Sequence, residues 1–361
     1  MTTAPGKVRF FTCKIGYTGI GDQLSQLRTL YRIGRAFDLT YVHTPFGNLW
    51  CPGLDVNRFL GLDLGEERIE DFRGHRMLDV PYLALLDHLH RKQPLESMFS
   101  EQELRPPVLF RLCSAQEIYS TKPDVRAIPP GVRFDLSAKF SAAHKDATAL
   151  NPFRTDKLKV AVHVRRGDCC WVEDNGVIVF PYRNKTVPLG ASDVDLQRAL
   201  PLSYYTAVLD DLFSVYSPDT CEIRIYSDGY GTRIWGPLRP KARLRLVLGL
   251  IAGYLGIPSA MTPRVSMFDR RVWPKLAELR REFDVFTKYG SSIEFRVGQS
   301  VALTKEVIGA FAFADVGIVA RRGAFPDFAL NLNPSQVVIH PGVDTTVALK
   351  ELRVAGRNGR R

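Results

Sequence analysis

Val160-Ala161-Val162-His163-Val164-Arg165-Arg166-Gly167-Asp168 passes from an apolar, β-branched run straight into a histidine, two arginines, a glycine and an aspartate. β-Branched residues pack well on pleated surfaces, so the run reads as a buried strand and the polar residues as the loop at its carboxyl end. Ligands of open α/β sheets sit just past such ends. A guanidinium keeps its charge, and its planar fork matches phosphate oxygens two at a time. The simplest reading of the residues is a diphosphate site. Alternation along a strand sends one arginine into the end of the sheet and the other away. The rival reading is structural: both arginines are surface charges or partners of Asp168, and Gly167-Asp168 is a plain turn.

The rest of the chain sets the frame for that strand. At 361 residues it is too long for one ordinary core and suits two domains. With 45% hydrophobic and 24% charged residues it has the composition of a soluble globular protein. Lys plus Arg number 49 against 38 Asp plus Glu, a formal charge of +11. That excess favours anionic partners (nucleotides, nucleic acid, acidic glycans, a membrane surface) and selects none of them. The opening residues Met1 to Lys7 lack the apolar segment of a secretory signal. The longest apolar stretch, Leu246 to Ile257, falls short of the roughly 20 residues that span a bilayer. It reads as a buried helix, with membrane association at most peripheral. Cysteines 13, 51, 113, 169, 170 and 221 form no CxxC pair and no zinc spacing, so they are expected to be free thiols in the reducing cytoplasm.

Strand and helix patterns alternate on both sides of a breaker, Pro129-Pro130-Gly131. Val8 to Lys14 reads as a strand, Gly16 to Gly21 as a glycine-rich loop, and Leu24, Leu27, Tyr31 and Gly34 as the buried stripe of a helix that stops near Asp38. Leu39 to His43 follows as a second strand, and Tyr82 to His90 as a helix. Beyond the breaker, strands are predicted at Leu158 to Val164, Cys221 to Tyr226, Ile293 to Val297, Val316 to Ala320 and Val337 to His340. Helices are predicted at Tyr204 to Tyr216, Trp273 to Lys288 and Lys305 to Ala314. Such alternation means mostly parallel sheets covered on both faces. The expectation is an α/β chain of two Rossmann-like domains, residues 1–150 and 151–361, facing one another across a cleft.

His163-Val164-Arg165-Arg166-Gly167-Asp168 resembles the His-x-Arg-Arg-x-Asp motif of the fucosyltransferase superfamily that makes α1,2 and α1,6 linkages and O-fucosylates proteins. Gly19-Ile20-Gly21-Asp22-Gln23-Leu24 is similar to that superfamily's N-terminal glycine loop, most of all to its nodulation α1,6-fucosyltransferases. Ile223-Arg224-Ile225-Tyr226-Ser227-Asp228 resembles the later strand ending in Ser/Thr-Asp-Asp, and Ala314 to Ala320 the strand before the last motif. These segments are scattered over roughly residues 8 to 335, and the sequence between them is unfamiliar.

The resemblance implies a GT-B-like fold and an inverting transfer of fucose from GDP-fucose to a hydroxyl of a glycan or another acceptor. It implies that Arg165 or Arg166 contacts the β-phosphate, that His163 orients the loop or touches the diphosphate, and that Asp168 holds an arginine. Glu173 stands at the offset of a catalytic acid in α1,6-fucosyltransferases, which makes it the candidate base. Its rival role is an exposed loop residue beside the hairpin-type turn Asp174-Asn175-Gly176. A core histidine satisfied by backbone is the rival for His163. Gly19, Gly21, Asp22 and Gln23 would line the cleft, and Asp228 would approach the nucleotide.

Departures from the pattern bear on the donor. Relatives carry a hydroxyl cluster after the last strand, whereas this chain has Arg321-Arg322-Gly323-Ala324-Phe325. These arginines either replace the hydroxyls as phosphate ligands or mark a lost role. The helix before that strand offers only Glu306 as a carboxylate to read guanine, and the second acid after Asp228 is Gly229. No metal is expected: Asp193-Val194-Asp195 has an Asp-x-Asp form but falls in a polar loop. The alternatives are a GT-B glycosyltransferase with another nucleotide sugar, or a non-catalytic binder of anionic polymer. Dispersed basic residues and the lack of an aromatic RNA-binding motif argue against nucleic acid.

Overall fold

The computed structural model describes residues 9–16, 19–47, 53–105, 107–114, 118, 121, 128–129, 131–144, 147–166, 172–174, 176–180, 185–188, 190–193, 197–227, 282–297, 300–320, 328 and 331–358. The chain divides into two compact units, Met1–Ala147 and Thr148–Arg361. Each carries a parallel sheet of its own.

In the first unit, β1 (Phe10–Lys14) leads through the helix α1 (Ile20–Ala36) to β2 (Thr40–His43). The helix α2 (Val56–Leu60), β3 (Glu67–Arg68), β4 (Arg76–Pro81), α3 (Tyr82–Arg91), α4 (Glu101–Leu104), β5 (Val108–Cys113) and α5 (Leu136–Ala143) follow. The strand order is β3-β2-β1-β5-β4, every pairing parallel. No strand is predicted between His43 and Leu158, yet β3, β4 and β5 form there. β3 is two exposed residues, and β4 is an edge strand with alternate burial. Neither presents the continuous apolar run of a buried parallel strand. Helix α1 closes tightly on β1 because Gly34 faces Phe11, whose ring fills the space a Cβ would take.

In the second unit, β6 (Leu158–His163) precedes a three-stranded antiparallel sheet of β7 (Val172–Asp174), β8 (Val177–Phe180) and β9 (Lys185–Pro188). The hairpin-type turn after Glu173 forms as predicted: Asp174 pairs with Val177, and Gly176 takes φ +77°. Then come α6 (Leu202–Val215), β10 (Cys221–Ser227), β11 (Ile293–Val297), α7 (Val301–Phe313), β12 (Val316–Ile318), β13 (Val337–Ile339) and α8 (Thr345–Asn358). The main sheet runs β11-β10-β6-β12-β13, all parallel. From β6 the chain winds outward through β10 to β11, then returns to the other flank with β12. β6 is therefore central, and the order reverses between β6 and β12, the Rossmann-like switch point.

Both faces of this sheet are covered, as the alternation predicts. Val160, Val162 and Val164 pack with Ile223 and Ile225 against Tyr205, Leu209 and Leu212 of α6. On the opposite face Ala161 and Tyr226 pack with Ala310, Phe311 and Ala314. Residues 282–292 form a 3-10 segment rather than the α-helix predicted through Lys288; the part of that prediction before Glu282 lies outside the described residues. Phe283, Phe286 and Tyr289 recur every third residue and join one apolar cluster, a spacing that a threefold helix lines up on one side. Gly290, at φ +67°, breaks the segment.

Gly309 sits where α7 meets the backbone of Leu150, so a Cβ there would strike the Leu150 carbonyl oxygen. Alanine is favoured over glycine inside a helix by about 1 kcal/mol. Here Gly309→Ala is expected to destabilise instead, by about 1–3 kcal/mol, in chemical denaturation. A stabilised variant would mean that α7 can move off that carbonyl freely.

Candidate active site

The site is built outward from β6. Its backbone pairs with β10 on one side and β12 on the other, and Val164 N–H continues the ladder by donating to Tyr226 O at 2.8 Å. Residues 165 and 166 thus leave the sheet from its centre, beside the switch point. His163 is buried at 4% exposure and stands in register with Tyr226, which in turn stands in register with Arg296. The three form a polar row across the carboxyl edge, on the face that carries Ala161.

The two arginines have different surroundings. Arg166 is 5% exposed. Its Nε–H donates to Glu282 Oε1 at 2.5 Å and its Nη2 to Glu282 Oε2 at 3.2 Å, a two-pronged carboxylate clasp. Its Nη1 donates to the carbonyls of Arg165, at 2.8 Å, and Leu200, at 3.0 Å. Burial raises the Glu282 carboxyl above its ordinary range, against the pull of the Arg166 charge. Tyr205, completely buried, feels both charges, and burial pushes its hydroxyl up to about 12. Arg165 is only partly buried. No local signal marks Glu282 as a partner: it lies 116 positions from Arg166.

Glu306 is engaged within the protein. Its Oε1 accepts from the Tyr226 hydroxyl at 3.2 Å and lies 3.6 Å from Arg224 and 3.5 Å from Arg296. Arg224, buried in mid-strand, also meets Glu222 at 3.2 Å and Glu294 at 2.8 Å. These charges tie β10, β11 and α7 together. Burial, with the Glu306 charge beside it, raises the Tyr226 hydroxyl.

In the first unit α1 opens inside the predicted glycine loop, taking Ile20 and Gly21 into its first turn, and Tyr17 and Thr18 lie outside the described residues. Gly19 is the N-cap of α1, Gly21 is buried in its first turn, and Asp22 is the acidic residue of that turn, a favourable end of the helix dipole for negative charge. The N–H of Gly16 donates to Gln26 Oε1 at 3.0 Å and faces Ser114 Oγ at 3.3 Å. That contact joins the loops after β1 and β5, the strands that flank this sheet's own reversal of order. Gln23 is turned inward at 1% exposure, its amide donating to Gly47 O at 2.9 Å. His43 at the end of β2, also buried, meets the Tyr41 hydroxyl through Nδ1, and burial lowers its pKa to about 4.

Glu173 occupies the middle of β7, its backbone opposite Ile178. Asp168, Asp228, Arg321 and Arg322 lie outside the described residues, as do Asp195 of the Asp-x-Asp stretch and the apolar run 246–257. Among the described residues no cluster of His, Cys, Asp or Glu could hold a metal ion, and no helix is long and apolar enough to cross a membrane. Cys13, Cys113 and Cys221 are unpaired thiols, and burial raises the pKa of each.

No family model and no curated protein matches the sequence. Solved structures do. POFUT1 in its apo form matches at 10% identity over 95% of this chain and 100% of that one, with a TM-score of 0.45. POFUT1 in complex with GDP-fucose matches at 11% identity over 93% and 99%, TM-score 0.45. The fucosyltransferase NodZ from Bradyrhizobium matches at 12% identity over 91% and 94%, TM-score 0.38.

Proposed function

We propose that this chain is a glycosyltransferase that moves fucose from GDP-fucose to a hydroxyl of a glycan or other acceptor, with inversion at the sugar carbon. One observation carries the reading: the His163-Val-Arg-Arg stretch leaves the central strand of a parallel sheet beside its switch point, where such sheets bind nucleotides. Val164 and Arg166 go to the α6 side, so alternation puts Arg165 on the other, with His163. In this reading Arg165 is the phosphate ligand, and Arg166 braces the loop from beneath.

The chemistry follows from charge. As the acceptor oxygen attacks C1 of fucose, the C1–O bond breaks and its electron pair leaves with the diphosphate. A fixed guanidinium at the phosphate stabilises the transition state more than the ground state. The acceptor proton goes to a carboxylate, for which Glu173 is the candidate. Arg321 and Arg322, which follow β12 across the switch point in sequence, are candidates for a second phosphate contact, and Asp168 and Asp228 for support of the loop and nucleotide. No metal is called for if the arginines neutralise the leaving group.

The engagement of Glu306 by Tyr226, Arg224 and Arg296 favours a second reading, the same site with a different base. Thermal shift against GDP, UDP, TDP and ADP, with and without magnesium, separates the two. GDP alone should raise the midpoint, with no help from magnesium. A larger shift with another nucleotide moves the donor class, and no shift with any of the four removes the nucleotide site.

A further inference from the structure

We propose that Glu282 is a positioning residue for this site, acting through Arg166 and not on substrate. The inference rests on the reading of Arg165 as the diphosphate ligand. Glu282 and Arg166 are a nearly dry pair, with side-chain exposures of 19% and 6%. Dehydrating two charges is expensive, and well-packed apolar residues of similar volume often serve stability as well or better. What an apolar pair cannot do is donate to two carbonyls in fixed directions. Glu282 holds the guanidinium by both oxygens, which leaves Nη1 aimed at the Arg165 and Leu200 carbonyls.

The Arg165 carbonyl is the first backbone acceptor past Val164, the last residue tied into the ladder. Fixing it fixes the peptide plane that follows Arg165, and with it the direction from which that side chain departs. The Leu200 carbonyl ties the same point to the residues just before α6. A placement error of about 1 Å in a catalytic group costs on the order of 100-fold in rate, so a clamp at this carbonyl bears on turnover. Glu282 is the charge that neutralises the clamp and orients it.

The test compares three variants of the full chain: the double apolar replacement Arg166→Met with Glu282→Leu, the single Glu282→Gln, and Arg165→Ala as the reference. Each is assayed for unfolding midpoint, GDP binding by calorimetry, and kcat and KM for GDP-fucose turnover. A positioning role predicts that the double variant melts near the parent temperature, binds GDP within about threefold of the parent, and loses kcat by on the order of 10-fold or more. Full kcat in a stable double variant would overturn it, because the pair would then be structural only. Should the double variant not fold, Glu282→Gln decides, since it keeps the volume and one acceptor oxygen. A kcat loss of about 10-fold at near-parent KM upholds the role; parent kcat removes it. Arg165→Ala separates the two ideas. If it too turns over like the parent, the reading of the site has failed; if it alone is inactive, only the role of Glu282 has.

Discussion

Arg165→Ala should cut GDP-fucose turnover on the order of 100- to 1000-fold, the usual cost of removing one preorganised donor to a developing negative charge. Its unfolding midpoint should stay close to that of the parent, because Arg165 is partly exposed and stands past the end of β6. Arg165→Lys keeps the charge but loses the planar fork, and should fall between alanine and the parent. Steady-state turnover of GDP-fucose, beside a thermal melt of each variant, measures both quantities. Turnover within threefold of the parent in a folded Arg165→Ala protein would take this residue out of the mechanism.

The neighbouring substitution should fail differently. Arg166→Ala strands the Glu282 carboxylate in a nearly dry pocket and removes the donor to two carbonyls. Breaking a buried pair from one side typically costs 3–5 kcal/mol, so a destabilisation of about that size is expected. Its pH dependence has a definite sign. The Glu282 carboxyl is already raised by burial, and loss of the Arg166 charge raises it further. A raised carboxyl pKa in the folded state makes ionisation costly, so the deficit is smaller in acid and grows as pH rises through that pKa. Denaturation curves at pH 5 and pH 8 test this, and Glu282→Leu in the Arg166→Ala background should recover part of the loss. A deficit below about 1 kcal/mol at pH 8 would show the pair to be a surface-like contact.

The main sheet of the second unit could be read from its residues, whereas β7, β8, β9 and α8 carry no such prediction. β6, β10, β11, β12 and β13 stand within a residue or two of their predicted bounds, since β6, β12 and β13 are short, mostly apolar runs and β10 and β11 alternate apolar with charged residues. Helix α7 begins four residues earlier than predicted, because Ser300 caps it by accepting from Leu303 N–H, and a single serine is a weak signal. The first unit was less legible. β5 lies between β1 and β4 yet carries Arg111 on its open face, paired with Asp79 of β4. That charge breaks the apolar run by which a buried strand is recognised.

Local chemistry by itself determined that a strand would end at Val164, one residue past the observed end, and that a glycine loop would lead into α1, because β-branching and helical spacing act over a few residues. It also put two guanidiniums at one sheet edge. Which of them is buried was decided only by the tertiary structure. Glu282 comes from one distant stretch and Leu200 with Tyr205 from another, and nothing near residue 166 announces either. A buried charge is stable only where distant groups converge to neutralise it, and that convergence is a property of packing, not of sequence pattern.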